Sequence, residues 1–337
     1  MINLISTQAD NDRVTGPSKV FRNLVRGLDA IGYPYVVNRS LTSTRRLWVH
    51  DDHIALRHLR AAKEAAVVVG PNLFVLPRDI PAGIDLQGYL YLHPSEWPIE
   101  LWHTAGFTQC PMKSWAVGID TDAFAPPANP ARNGVVVYHK ERPEAQLEEI
   151  VRSLSEVGRE VSVLRYGDYT EDDLIRAGST AEVVVWHGMH ESQGIALQEM
   201  LSLDVPIVVA DVRRLSDAVG PYVFGAEYDG VSVTAVPYWD DRCGVIVSDY
   251  RLVAEAVEYV LAHRSEFAPR EFVRERLSLE GQARAFVELW DHFGLSYEDG
   301  LRERPSNARP WREPAADRAA RFTGRVRRAV ARRLGGS

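Results

Sequence analysis

Cysteine is almost absent: Cys110 and Cys243 are the only two in 337 residues. Two thiols cannot form the disulfide framework of a small secreted scaffold, so both are predicted to be free. Long apolar runs are missing too, and no stretch approaches the roughly 20 residues that a membrane-spanning helix needs. The first residues, MINLISTQADNDR, lack the basic segment and long apolar core of a secretory leader. Together these absences predict a soluble cytoplasmic protein. Positive charge is in deficit, 39 Lys+Arg against 46 Asp+Glu for a net −7, which argues against a generic nucleic-acid binder. Apolar residues are plentiful at 45%, which excludes intrinsic disorder, and the length predicts two domains.

The charge is segregated along the chain. Residues 301–337 hold eleven arginines against Glu303, Glu313 and Asp317, a balance of +8, so the preceding 300 residues carry −15. A Pro-rich spacer (Pro305, Pro310, Pro314) leads into AADRAARFTGRVRRAVARRL, residues 315–334. There Phe322, Val326, Ala329, Val330 and Leu334 recur at helical spacing opposite most of the arginines. This pattern predicts a basic amphipathic helix. It suits an anionic membrane surface, where each basic residue contributes on the order of 1 kcal/mol. The alternative is a solvated basic tail. A nucleic-acid contact is the weakest of the three, because no aromatics interleave the arginines to stack on bases.

Before the tail, short β-rich runs alternate with helical patterns. INLIS, YPYVVN, RLWVHD, AAVVVG and GYLYLH come first; GVVVYH, EVSVLRYG, AEVVVWHG, VPIVVAD and GVIVSD follow residue 130. Continuous apolar strands imply burial on both sheet faces, hence an α/β fold with parallel sheets. The segment DAFAPPANPARNG, residues 122–134, is the most linker-like inside the body. It predicts two doubly wound, Rossmann-like domains, 1–125 and 126–300, the second ending in closing helices, facing across a cleft, with 301–337 as the basic tail.

The richest stretch is HGMHESQGIALQEMLSLDVPIVVAD, residues 187–211. It predicts a strand, a polar loop with Glu191, a helix from about Ser192–Gly194 to Leu203, and the next strand over Pro206–Ala210. Glu199 follows Glu191 by eight residues, about two helical turns, so both carboxylates can face one cleft edge. The N–H groups of Gly194, Ile195 and Ala196, aided by the helix dipole, would form an anion site suited to phosphate. The plainer reading is a crossover helix with Glu191 as a cap and Glu199 in solvent.

The spacing from Glu191 to Glu199 in ESQGIALQEMLSLDVPIVV resembles the E-x7-E signature of retaining GT-B glycosyltransferases of the family-4 type (glycosyl transferases group 1). WAVGIDTDAFAP, residues 115–126, is similar to that family's interdomain sequence, and GPSKVFRNLVRGLDAIGY, residues 16–33, resembles its Gly-rich first loop and helix. The resemblance implies a GT-B fold, a nucleotide-sugar donor in the C-terminal half, an acceptor in the N-terminal half and retention at the anomeric carbon. It also implies no cofactor and no obligatory metal. Glu191 would contact sugar hydroxyls, Glu199 the ribose and the amides of residues 194–196 the phosphates, with Gly16 as a close backbone approach.

The sequence departs from that family in two places. Where a basic pair usually follows the first strand of the second domain, this chain reads VVVYHKERPEAQ, which makes Lys140 and Arg142 the candidate cations for the leaving diphosphate. In the N-terminal half, LWVHDD keeps part of one motif, whereas VVVGPN lacks the usual histidine. Asp51, with His50, is therefore the candidate acceptor-side group. Asn72 can only hydrogen-bond, and His93 ends a later strand. The cluster His50, Asp51, Asp52, His53 and His58 lacks a tetrahedral ligand set. Tyr166 and Gly167 are candidates to border the nucleobase. The competing functions are a nucleotide-sugar epimerase of the same fold and a catalytically silent sugar-binding or membrane-docking module.

Overall fold

The computed structural model describes residues 1–71, 73–129, 131–217, 224–306, 309–314 and 317. Strands β1 (Ile2–Ser6), β2 (Tyr35–Val37), β3 (Arg46–His50), β4 (Ala66–Val69), β5 (Leu90–His93) and β6 (Met112–Ser114) alternate with helices α1 (Gly16–Ala30), α2 (His53–His58) and α3 (Glu96–Thr104). A second series follows: β7 (Val135–His139), α4 (Glu144–Glu156), β8 (Val161–Arg165), α5 (Glu171–Thr180), β9 (Val183–His187), α6 (Ile195–Ser202), β10 (Ile207–Ala210), β11 (Gly244–Val247) and α7 (Val253–Ala262). Every strand pairing among the described residues is parallel. The sheet orders are β2-β1-β3-β4-β5-β6 and β8-β7-β9-β10-β11.

Both sheets are wound alike. The strand order reverses between β1 and β3 in one half and between β7 and β9 in the other, and each reversal opens a crevice beyond the carboxyl ends of the strands. The alternating side chains of each strand feed two cores. In the C-terminal half Val135, Val137, Val183 and Val185 pack on the side of α4 and α7, while Tyr138, Val184, Trp186 and Val209 pack on the side of α5 and α6. The helix starts follow local chemistry. Thr15 caps α1: its hydroxyl accepts from the Ser18 N–H at 3.3 Å, the Ser18 hydroxyl accepts from the Thr15 N–H at 2.8 Å, and Pro17 occupies the first turn.

The linker is pinned. Its Arg132 donates to the carbonyls of Gly178 and Ala181 at the end of α5 and of Leu203 and Asp204 at the end of α6, at 2.8–3.1 Å. After α8 (Pro269–Arg276) the chain returns to the first half. Helix α9 (Leu279–Glu288) lays Ala283, Phe286 and Val287, with Trp290 just beyond, into the core formed by Leu4, Trp48 and the Val20, Phe21 and Leu24 side of α1. The expected span 126–300 thus includes helices that complete the N-terminal core. Next comes α10 (Tyr297–Arg302), where fully buried Arg46 pairs with Glu303.

The segment beyond α10 straps the N-terminal half. The Ser306 N–H donates to the Ser43 carbonyl at 2.8 Å, the Trp311 N–H to the Asn38 carbonyl at 2.7 Å, and Asp317 meets His58 Nε2 at 2.9 Å. Apart from Asp317, the predicted basic helix over 315–334 lies outside the described residues. No helix among the described residues is long and apolar enough to cross a membrane. Cys110 and Cys243 are both free and buried, and burial pushes each thiol up to about 12.

Candidate active site

A cleft of about 700 Å³ lies where the two crevices face each other. From the N-terminal half it is lined by the loop and first turn at Thr15, Gly16 and Lys19, by His50 at the end of β3, and by Pro71 and Pro94. The C-terminal half contributes Lys140 after β7, Tyr166 and Gly167 after β8, Glu171, and residues 191–196 leading into α6. A Cβ added at Gly16 would meet nothing within 4 Å, so that backbone is open to a ligand.

Lys140 and Glu191 form the ion pair on the C-terminal wall, Nζ to Oε1 at 2.7 Å. The ammonium also lies over the Tyr166 ring, 4.7 Å from its centroid. Burial acts to lower the Lys140 pKa, but the charge of Glu191 and the hydrogen bond to it outweigh burial, and the group is held above the ordinary lysine value. Glu191 stands directly before the α6 start. Gly194 takes the left-handed conformation there, φ +82, so the helix begins at Ile195. The first N–H groups of α6 lack intrahelical acceptors, and Gly194, Ile195 and Ala196 line the cleft, so a positive helix end faces the same space as the Lys140 ammonium.

Glu199 is only 1% exposed, behind that helix end. It is paired with Lys19 of α1 in the opposite half, whose Nζ touches both carboxylate oxygens, 2.6 Å from Oε2. Glu171 is 3.9 Å from the same ammonium, and Lys19 also lies over the Phe124 ring at 5.4 Å. Burial pushes the Glu199 carboxyl up to about 7, against the opposing pull of Lys19. Lys19 was missed in the sequence because its partner is 180 positions away. A signal existed: a lysine in the first turns of a helix opposes the dipole, so a counter-charge from elsewhere is called for.

The structure does not gather all the expected residues. Arg142 is turned into a neighbouring pocket of about 410 Å³. There it donates to the carbonyls of Gly188 and Ala210 and to Gln146 Oε1. Intervening Glu141 has φ +51, and this left-handed turn separates the two cations. Asp51, φ +48, is also directed away: its carboxylate accepts from Gln8 Nε2 and Thr7 Oγ1. His50 does line the cleft, with Nδ1 3.0 Å from Ser6 Oγ, and burial lowers its pKa to about 3, so the ring is neutral at pH 7. Asp52 caps α2 through the N–H groups of Ile54 and Ala55, and His53 packs on Phe74. His93 is buried against Tyr91 and Trp102. Asn72 lies outside the described residues.

Both halves hold the Glu191 loop in place, the C-terminal half through the Thr234 carbonyl, which accepts from the Glu191 N–H at 3.0 Å. Trp97 Nε1 donates to the Glu191 carbonyl at 2.9 Å and Ser95 Oγ to the Ser192 carbonyl at 2.6 Å, both from the start of α3. The Gln193 side chain exchanges hydrogen bonds with the Val117 backbone at 3.0 and 2.8 Å. These anchors also escape sequence reading, since each backbone acceptor or donor is set by tertiary approach.

No protein-family model and no curated protein matches this chain. Among solved structures, it is similar to the sucrose-phosphate synthase of Thermosynechococcus elongatus, with 14% identity, 88% of this chain and 99% of that one covered, and a TM-score of 0.55. Anabaena HepE in complex with UDP and glucose gives 11% identity, 87% and 100% coverage and a TM-score of 0.55. AviGT4, a glycosyltransferase involved in avilamycin A biosynthesis, gives 14% identity, 87% and 97% coverage and a TM-score of 0.51. At these identities the likeness is one of fold: two Rossmann-like domains in the GT-B arrangement.

Proposed function

We propose that the chain is a retaining glycosyltransferase of the family-4 type, moving a sugar from a nucleotide-sugar donor to an acceptor hydroxyl. The observation that carries this reading is the Lys140–Glu191 pair at the open N-terminus of α6, in a cleft built from both sheet crevices. In this reading Glu191 binds sugar hydroxyls, Glu199 the ribose, and Lys140 with the amides of residues 194–196 the diphosphate. Tyr166 and Gly167 border the base. Anabaena HepE, of similar fold, is solved with UDP-glucose, and a nucleoside diphosphate sugar is the donor class proposed here. The acceptor enters beside His50, and its hydroxyl attacks on the face the diphosphate leaves. Positioning and stabilisation of the departing charge supply the catalysis, without a metal or other cofactor. The basic tail would hold the protein on the anionic inner face of the membrane.

The test is transfer and hydrolysis of radiolabelled UDP-, GDP- and ADP-sugars, with the product anomer read by NMR. Glu191→Gln is expected to lower kcat/KM by about 10²-fold or more in a variant that circular dichroism shows to be folded at the assay temperature. Absence of turnover with every donor overturns the proposal.

A further inference from the structure

The charges in the cleft set a problem for the ligand proposed above. Its two ammonium groups are already engaged, Lys140 by Glu191 and Lys19 by Glu199, and Glu171 adds a third carboxylate near Lys19. A diphosphate arriving alone would meet cations that are already compensated. A ribose diol would find both oxygens of Glu199 occupied by one ammonium, inside a pocket that leaves the carboxylate 1% exposed. A nucleoside diphosphate solves both difficulties in one molecule, because it carries hydroxyl donors for the carboxylate and an anion for the ammonium.

Resting on the glycosyl-transfer reading, we infer that Lys19 is a donor-diphosphate ligand held in reserve by Glu199: the ribose diol replaces the ammonium at the carboxylate, and the ammonium pairs with the diphosphate. The exchange keeps every buried charge partnered throughout, whereas loss of the ion pair without replacement would strand a carboxylate in an apolar site. It also makes donor recognition a property of both halves. Lys19 is carried by α1, which α9 packs against, while Glu199 belongs to α6. The groups facing Glu199 are Lys19 from α1 and Glu171 at the start of α5, with Tyr169 close enough to feel its charge.

Calorimetry with UDP, GDP, ADP and CDP, and with the matching nucleosides, tests the exchange in wild type, Lys19→Met and Lys19→Arg. Lys19→Met is expected to weaken the best-bound diphosphate about tenfold or more while its nucleoside binds as well as before or better, and Lys19→Arg is expected to restore most of the loss. Diphosphate binding that is unchanged or tighter in Lys19→Met overturns the inference, because Lys19 would then only block the carboxylate. Parallel weakening of diphosphate and nucleoside overturns it too, as the mark of a structural role. Should Lys19→Met fail to fold, the Lys19→Met/Glu199→Gln double variant, with no unpaired charge, gives the same diphosphate-to-nucleoside ratio. Wild type binding none of the four diphosphates removes the glycosyl-transfer reading and this inference with it.

Discussion

His93 ends β5 at 1% exposure, and among the described residues neither ring nitrogen has a hydrogen-bond partner. Burial, helped by the charge of His103, lowers its pKa to about 3. The folded value lies below the ordinary 6.5, so between the two the unfolded chain takes up a proton that the folded chain refuses. Stability is therefore full above pH 6.5 and falls on acidification towards pH 3. His93→Phe removes this term and keeps an aromatic ring against Tyr91 and Trp102. Urea unfolding is expected to differ by less than about 1 kcal/mol at pH 8 and to favour the variant by about 2 kcal/mol at pH 5; an identical pH slope in the two proteins would refute the assignment. Single residues were legible in sequence when local geometry decided them, as at Glu191, Gly194 and Lys140. Arg142 was not, because one left-handed residue at Glu141 sends its side chain to another pocket.

Helices were legible by their starts and less so by their partners. The loop and helix read over residues 16–33 hold α1, which starts at Gly16, yet nothing in the apolar face of α9 says which sheet it covers, since either half offers an apolar surface to a helix with Phe286 and Val287 on one side. The answer lies in Gly27, whose missing side chain lets α9 approach α1. A Cβ there would lie 2.6 Å from the Leu279 carbonyl oxygen and 2.9 Å from Ala283 Cβ. Alanine gains up to about 1 kcal/mol of helix propensity over glycine, while overpacking a fixed contact costs roughly 1–3 kcal/mol. Packing wins where backbone cannot retreat, so Gly27→Ala is expected to lower stability by about 1 kcal/mol in denaturant unfolding. A rise in stability would mean that α9 shifts freely on α1.

At the scale of the whole molecule, the return of the chain to its first half fixes where the basic tail begins. Glu303, Ser306, Trp311 and Asp317 tie the strap to Arg46, Ser43, Asn38 and His58 in turn. Asn38 and Ser6 are hydrogen-bonded neighbours at the strand ends of that half, and Ser6 contacts His50 in the cleft. Asp317, the last of the described residues, thus lies on the half proposed to receive the acceptor, so a membrane bound by the tail would bring a surface-borne acceptor towards that half. Truncation after Asp317 removes seven arginines and keeps every one of these ties. At about 1 kcal/mol per basic residue, the loss is expected to lower co-sedimentation with phosphatidylserine vesicles by about a hundredfold or more at low salt. The melting temperature and the turnover of a soluble acceptor should stay unchanged. Equal vesicle binding by the truncated chain would assign any membrane attraction to the body, whose −15 opposes it.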